Sequence, residues 1–138
     1  MNDIIKEYPD IQLITEQHVP AEQPINDAEE ITANLLTANP DKDSVTAIFA
    51  AWDEPAIGAA KALAEAGRDE VIVTGVDGNE QAVQMIKDGS CLKATVKQNF
   101  EGMADIVCRQ MEKYYAGETI EKGEMYAPAE LITQENAQ

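Results

Sequence analysis

Short apolar runs alternate along the chain with segments in which apolar residues recur every three or four positions. The runs predict four β-strands, Ile11–Thr15, Thr46–Ala50, Glu70–Val76 and Ala94–Gln98. Each strand is followed by a helical pattern, and the predicted helices are Asn26–Ala38, a helix from about Glu54 to Gly67, Glu80–Lys87 and Phe100–Tyr115. Strands that alternate with helices in this way predict a parallel sheet with βα units.

Residues with strong end preferences set the predicted helix limits. Asn26 is the expected N-cap of the first helix, and Asp53 is expected to cap the second, where Pro55 suits the first turn. Gly67 is the expected left-handed stop of that second helix. A last apolar run, Pro128–Thr133, precedes a polar tail for which we predict disorder from about Gln134 onward.

The beginning of the chain lacks the pattern of a complete βα unit. Its first six residues are typical of the end of a helix, and no strand pattern precedes them. In a doubly wound sheet the first strand lies inside the sheet, between the second and the third. We therefore expect a sheet whose first strand is missing.

Composition narrows the possible functions. The 138 residues fit one domain, and 26 acidic against 10 basic residues give a net charge of −16, which argues against binding to nucleic acid or anionic lipid. No apolar run is long enough to span a membrane, and the opening MNDIIKEYPD lacks the basic and apolar regions of a signal peptide.

Catalytic, metal and cofactor sites are not predicted. Cys91 and Cys108 have no metal-binding spacing, and we expect two free thiols. His18 is the sole histidine and is far from both cysteines in the sequence, so no nucleophile–base pair is indicated. The segment GVDGN lacks the spacing of a phosphate-binding loop.

Candidate binding residues follow the predicted strands. Ligands of open parallel sheets lie beyond the carboxyl ends of the strands, and there the sequence offers Trp52, Asp77 and Gln98. An aromatic ring that can stack on a sugar, with a carboxylate and an amide for paired hydroxyls, suits a neutral polyol.

A structural interpretation stands beside each of these assignments. Trp52 can be a packing residue, and Asp53 is expected to be a helix cap and no more. Asp77 before a glycine can be a turn residue, and Gln98 can be an exposed loop amide. The residues alone leave both the binding roles and the structural roles open.

The stretch AIFAAWDEPAIGAAKALAEAGRDEVIVTGVDGNEQAVQMIKDGSCLKATVKQNFEGM, residues 47–103, carries a family resemblance. It resembles the second half of periplasmic sugar-binding proteins of ABC importers, the ribose-binding-like group of the type I periplasmic binding proteins. YPDIQLITEQ upstream and YYAGE and PAELIT downstream resemble the same group. The resemblance implies an α/β, Rossmann-like three-layer parallel sheet with helices on both faces. Residues 1–133 would be the C-terminal lobe, and 134–138 the disordered tail.

The same resemblance implies ligand, partners and location. Asp77 and Gln98 match positions that hydrogen-bond sugar hydroxyls, whereas Trp52 stands where an asparagine is common, which suggests stacking on the ring. The implied ligand is a monosaccharide or polyol. The implied partner of the full-length protein is a membrane permease, with a periplasmic or extracellular, membrane-associated location. The helix at 100–116 is expected to pack on the other lobe or on a partner chain, so we expect self-association of the lobe alone.

Three other interpretations of the chain remain. It also resembles the effector-binding domain of a LacI-type repressor, although no DNA-binding helix-turn-helix is present and the acidity argues against it. A structural remnant without ligand function is a second alternative, and an enzyme is the most distant.

Overall fold

The computed structural model describes residues 2–137. Within that range the chain forms five helices: α1 Asn2–Glu7, α2 Pro24–Ala38, α3 Asp53–Glu65, α4 Glu80–Lys87 and α5 Phe100–Tyr115. It also forms four strands: β1 Ala47–Phe49, β2 Ile72–Asp77, β3 Leu92–Lys97 and β4 Glu130–Thr133. None of the helices in this range is long and apolar enough to cross a bilayer.

The strands form one open sheet in the order β1-β2-β3-β4. The first three are parallel, as predicted, and β4 joins β3 antiparallel. Helices α3 and α4 pack on one face of this sheet, and α2 packs against α3. Ile57, Leu63, Val73, Ile86 and Leu92 are buried between these layers and form the centre of the core. The predicted class, an open α/β sheet, is confirmed.

The helices cover only one face of the sheet, so the expected layer on the second face is incomplete. Neither α1 nor α5 packs on that face. Phe49, Ile72 and Leu131, which point to it, are 54%, 48% and 58% exposed. The three-layer arrangement implied by the resemblance is therefore reduced to two layers in residues 2–137.

The prediction of a strand at Ile11–Thr15 is wrong. Residues 8–23 contain no helix or strand and are almost entirely exposed. A strand needs a neighbour to pair its backbone, and the sheet of residues 2–137 contains only β1 to β4. An apolar run without such a neighbour does not make a strand.

The start of α2 also differs from the prediction. The helix begins at Pro24, with Gln23 as N-cap, and Asn26 lies inside the first turn, where its side chain donates to Gln23 Oε1 at 3.3 Å. A proline at the first helical position fixes φ near the helical value and needs no hydrogen bond from its nitrogen. Pro24 therefore starts the helix without a capping side chain.

Other predicted features agree with the structure. Helices α4 and α5 have the predicted bounds, and Gly67 after α3 has the expected left-handed φ of 65°. Cys91 is buried and Cys108 exposed, and both are free. The run Pro128–Thr133 contains β4. The disorder predicted from Gln134 onward stays a prediction, which amide exchange of residues 134–138 would test.

The contact between α2 and α3 depends on a glycine. A Cβ on Gly58 would lie 2.1 Å from the carbonyl oxygen of Ile25 and 3.1 Å from the Cβ of Ala28. Backbone atoms cannot move aside as a flexible side chain can. Gly58 therefore allows the two helices to approach closely, which holds α3 and its N-terminus in place over the sheet.

We expect Gly58→Ala to destabilise the lobe by about 1–3 kcal/mol, because the clash with the α2 backbone outweighs the helix propensity of alanine. Urea unfolding followed by far-UV circular dichroism measures the change. Lys61→Ala, at an exposed position of the same helix, is the control and should change stability by less than about 0.5 kcal/mol. A stabilised Gly58→Ala variant would contradict this account of the helix contact.

Candidate functional site

The carboxyl ends of β1, β2 and β3 lie at one edge of the sheet because the three strands are parallel. Asp77 is the last residue of β2, Gln98 follows β3, and Trp52 comes three residues after β1. All three predicted site residues therefore lie at this edge. The segment Ile11–Thr15 forms no strand, so the polar residues after it do not lie at a strand end. These residues are Glu16, Gln17 and His18, and all three are exposed.

Asp77 and Gln98 are brought into contact. The Nε2 of Gln98 donates a hydrogen bond to Asp77 Oδ1, and the Gln98 backbone N–H donates to the Asp77 carbonyl at 3.4 Å. Asp77 has a φ of 127°, a conformation that residues with a side chain rarely adopt. Strained backbone of this kind concentrates at binding sites, where the surrounding structure enforces it.

Trp52 lies at the same end of the sheet, at the start of α3. It is the N-cap residue of α3, with extended backbone (φ −150°, ψ 172°) and a half-buried side chain. In residues 2–137 no hydrogen bond joins Trp52 to Asp77 or Gln98. The indole is thus at the same edge, partly open to solvent.

Asp53 is more than the helix cap that the sequence suggested. It is the first residue of α3, not its N-cap, and it is completely buried. Its Oδ1 accepts from the Thr95 hydroxyl at 2.6 Å, and its Oδ2 accepts from the Asn79 backbone N–H at 2.7 Å. The Thr95 oxygen accepts in turn from the Gly78 N–H at 3.2 Å. One carboxylate therefore ties α3, β3 and the turn after Asp77 together.

Two glycines make room for this arrangement. A Cβ on Gly75 would lie 2.3 Å from Asp53 Oδ1, and a Cβ on Gly78, which has a φ of 76°, would lie 2.7 Å from the Cβ of Lys97. A side chain at Gly75 would displace the buried carboxylate. Sequence reasoning missed this network, although Gly75, Thr95 and Asp53 together were the signal that could have indicated it.

Burial raises the pKa of the Asp53 carboxyl above its ordinary value of 3.8, and the nearby charge of Asp77 raises it further. Hydrogen bonds from Thr95 and Asn79 lower the pKa and oppose this shift without cancelling it. Burying the ionised Asp53 carboxylate therefore costs free energy, and its hydrogen-bond donors offset part of that cost.

The edge offers binding chemistry on one wall only. Asp77 supplies carboxylate oxygens, Gln98 an amide, and Trp52 an aromatic face. Two grooves of residues 2–137 lie elsewhere, one between α2 and the far end of α3, the other along α5. Within the described part of the chain no three His, Cys, Asp or Glu side chains could hold a metal ion together.

An open α/β lobe with polar side chains and an indole at the strand ends has the geometry that ligand-binding domains with open parallel sheets use. The family profile described as "Periplasmic binding protein domain" matches residues 1–119. The chain belongs to this periplasmic binding protein family.

Relatives of known function are similar over different lengths. The ribose import binding protein of Salmonella typhimurium is 47% identical over 68 residues, which are 49% of this chain and 22% of that protein. The D-apiose import binding protein of Actinobacillus succinogenes is 31% identical over 137 residues, 99% of this chain and 43% of that protein. This chain therefore spans less than half the length of these relatives.

The fold matches solved structures of the same group. An ABC transporter solute binding protein from Agrobacterium vitis with bound allitol has a TM-score of 0.89 and 30% identity, over 99% of this chain and 47% of that one. An ABC sugar transporter subunit from Rhodobacter sphaeroides has a TM-score of 0.88 and 33% identity, over 99% and 49%. These similarities support the importer interpretation and not the repressor alternative.

We expect Asp53→Ala to destabilise the lobe by about 2–4 kcal/mol, because the Thr95 hydroxyl and the Asn79 N–H would both be buried without their acceptor. Asp53→Asn should cost less, since an amide oxygen can still accept from Asn79 while the amide nitrogen donates to Thr95. Urea unfolding of the two variants and the wild type measures the difference. Equal stability of all three would contradict the role given to Asp53.

The raised pKa of Asp53 predicts a pH dependence. The folded protein binds the proton of this carboxyl more tightly than the unfolded chain, so stability falls as the pH rises through the range from 3.8 up to the raised pKa. The amide introduced by Asp53→Asn cannot ionise, so the stability of the wild type relative to that variant should decline over that range. Urea unfolding of both proteins at a series of pH values tests it. A difference that increases with pH would contradict the direction of the shift.

Proposed function

We propose that this chain is a non-catalytic binding lobe for a sugar or sugar-like polyol, part of the substrate-binding component of an ABC importer. The observation that carries the proposal is the Asp77–Gln98 pair at the strand-end edge, where Trp52 follows the neighbouring strand β1. The edge combines hydrogen-bonding groups and an aromatic face, and it has no nucleophile–base pair.

The pair suits vicinal hydroxyl groups. Gln98 uses one N–H to bind Asp77, so its carbonyl oxygen and second N–H are left to meet a hydroxyl. The second carboxylate oxygen of Asp77 accepts from a neighbouring hydroxyl. Trp52 then stacks its indole on the C–H face of the ring. Such a set recognises a neutral polyhydroxyl ligand and offers no positive charge to a phosphate.

The ligands of related proteins support this chemistry. The relatives include ribose and D-apiose import binding proteins. Solved structures with similar folds hold allitol and D-allose. All four are neutral polyhydroxyl compounds, which matches the side chains at the edge.

The partners and location follow from the same proposal. An importer subunit delivers its ligand to a membrane permease, and a periplasmic binding protein works in the periplasm. The longer relatives supply more chain than this one, and ligand burial on both sides needs a second wall. Helix α5 contains no buried residue, which supports self-association of this chain.

Trp52 is the only tryptophan, so its fluorescence reports directly on the site. We expect a saturable emission change with one or more pentoses, hexoses or sugar alcohols, with a Kd of about 1 mM or weaker because one wall is present. Asp77→Asn and Gln98→Ala should each weaken binding about tenfold, because each variant loses one hydrogen bond to a ligand hydroxyl and that bond contributes about this factor to the affinity.

Glu65→Gln, at the far end of α3, is the matched control and should bind as the wild type does. Isothermal titration with the same ligands checks that the emission change reports binding. No saturable response to any ligand of the panel, or equal binding by the wild type and Asp77→Asn, would overturn the proposal.

A further inference from the structure

The sheet face opposite α3 and α4 is apolar and uncovered. Strand register brings nine residues to it, which we call the open face: Ala47, Phe49, Ile72, Thr74, Val76, Ala94, Val96, Leu131 and Thr133. Seven of the nine are apolar and none is charged or buried. Parallel strands are normally covered on both faces, and within residues 2–137 no helix covers this one.

Helix α5 presents an apolar surface that is equally uncovered. Phe100, Val107, Met111 and Tyr114 lie on one side of the helix, at spacings of seven, four and three residues, and form what we call the α5 stripe. Each is more than half exposed. The charged residues Asp105, Arg109 and Glu112 lie on the opposite side.

The α5 stripe does not turn back onto the sheet of its own chain. Residues 98–129 leave the sheet after β3 and return to the same edge, where Glu130 pairs with Lys97. The returning segment runs along α5 instead. Lys113 Nζ pairs with Glu121 at 3.1 Å, and the Glu121 N–H donates to Gln110. Ile120 and Met125 of this segment line a groove on α5 together with Val107, Met111 and Tyr114. The segment flanks the α5 stripe without burying it, since each stripe residue stays more than half exposed.

The two surfaces match in size. From Phe100 to Tyr114 the helix rises about 21 Å, at 1.5 Å per residue. The six-residue strands β2 and β3 are about 20 Å long, at 3.3 Å per residue. A helix laid along the strands would cover the central part of the open face.

The two surfaces also match in charge. Two chains of net charge −16 repel each other over most of their surfaces. Neither the open face nor the α5 stripe contains a charged residue. These are therefore the surfaces through which two copies can approach at the least electrostatic cost.

We propose that two copies of this chain form a two-fold dimer by exchanging α5, the α5 stripe of each copy covering the open face of the other. Exchange covers both apolar surfaces of both copies. Pairing of the two helices alone would leave each open face bare, and pairing of the two sheets alone would leave each helix bare.

Sedimentation equilibrium of single variants and of their mixture tests the exchange. The wild type should be dimeric at micromolar to hundred-micromolar concentration, and more so at higher salt, which screens the like charges. Val107→Glu in the α5 stripe and Ile72→Glu in the open face should each give monomers. An equimolar mixture of the two should form a heterodimer, since one intact α5 stripe then meets one intact open face.

Arg109→Glu, on the far side of α5, is the matched control and should stay dimeric. All three substitutions are at exposed positions, and circular dichroism verifies the fold of each. A monomeric wild type overturns the proposal. If Ile72→Glu stays dimeric, the dimer is held by pairing of the two α5 helices or by another surface. If Val107→Glu stays dimeric, the dimer is held by pairing of the two sheets. A mixture that stays monomeric excludes exchange.

Discussion

The site depends on one buried carboxylate. Asp53 sits at the start of α3 and accepts hydrogen bonds from Thr95 in β3 and from the N–H of Asn79, after the turn that ends β2. A carboxylate removed from water requires such donors, and each of these donors would be unsatisfied without it. The position of Asp77, one strand end away, therefore depends on a group that is itself completely buried.

This arrangement explains why Asp77 can hold its unusual backbone. A φ of 127° is strained for a residue with a side chain, and strain persists only where neighbouring contacts fix the chain. Those contacts are the bond from Asn79 to Asp53, the bond from Gly78 to Thr95, and the side-chain bond from Gln98. Together they hold the carboxylate of Asp77 at the sheet edge before any ligand is present.

Sequence-based prediction was correct for the elements whose limits depend on nearby residues. It was wrong where an element or a role depends on residues far away in the sequence. The helices α4 and α5 have the predicted limits because periodicity, the caps Asn79 and Asn99, and the glycines that follow all act within a few residues. The apolar run Ile11–Thr15 also predicted a strand, yet no strand formed without a neighbour. Asp53 was assigned a local role because the residues next to it indicate only a helix start. Its partners are 26 and 42 residues away, so its immediate neighbours in the sequence do not indicate them.

The sequence could place Trp52, Asp77 and Gln98 at one edge because parallel strands bring their carboxyl ends together whatever covers the sheet. Their role in binding stays a prediction. The strand topology says nothing of the second wall. A core on one side of the sheet, between β1–β3 and α3–α4, fixes the polar edge without help from the open face. Enclosure of a ligand is a separate property, since it needs chain beyond this edge. The lobe therefore fixes the polar groups of its strand-end edge by itself, whereas a second wall over that edge depends on other chain.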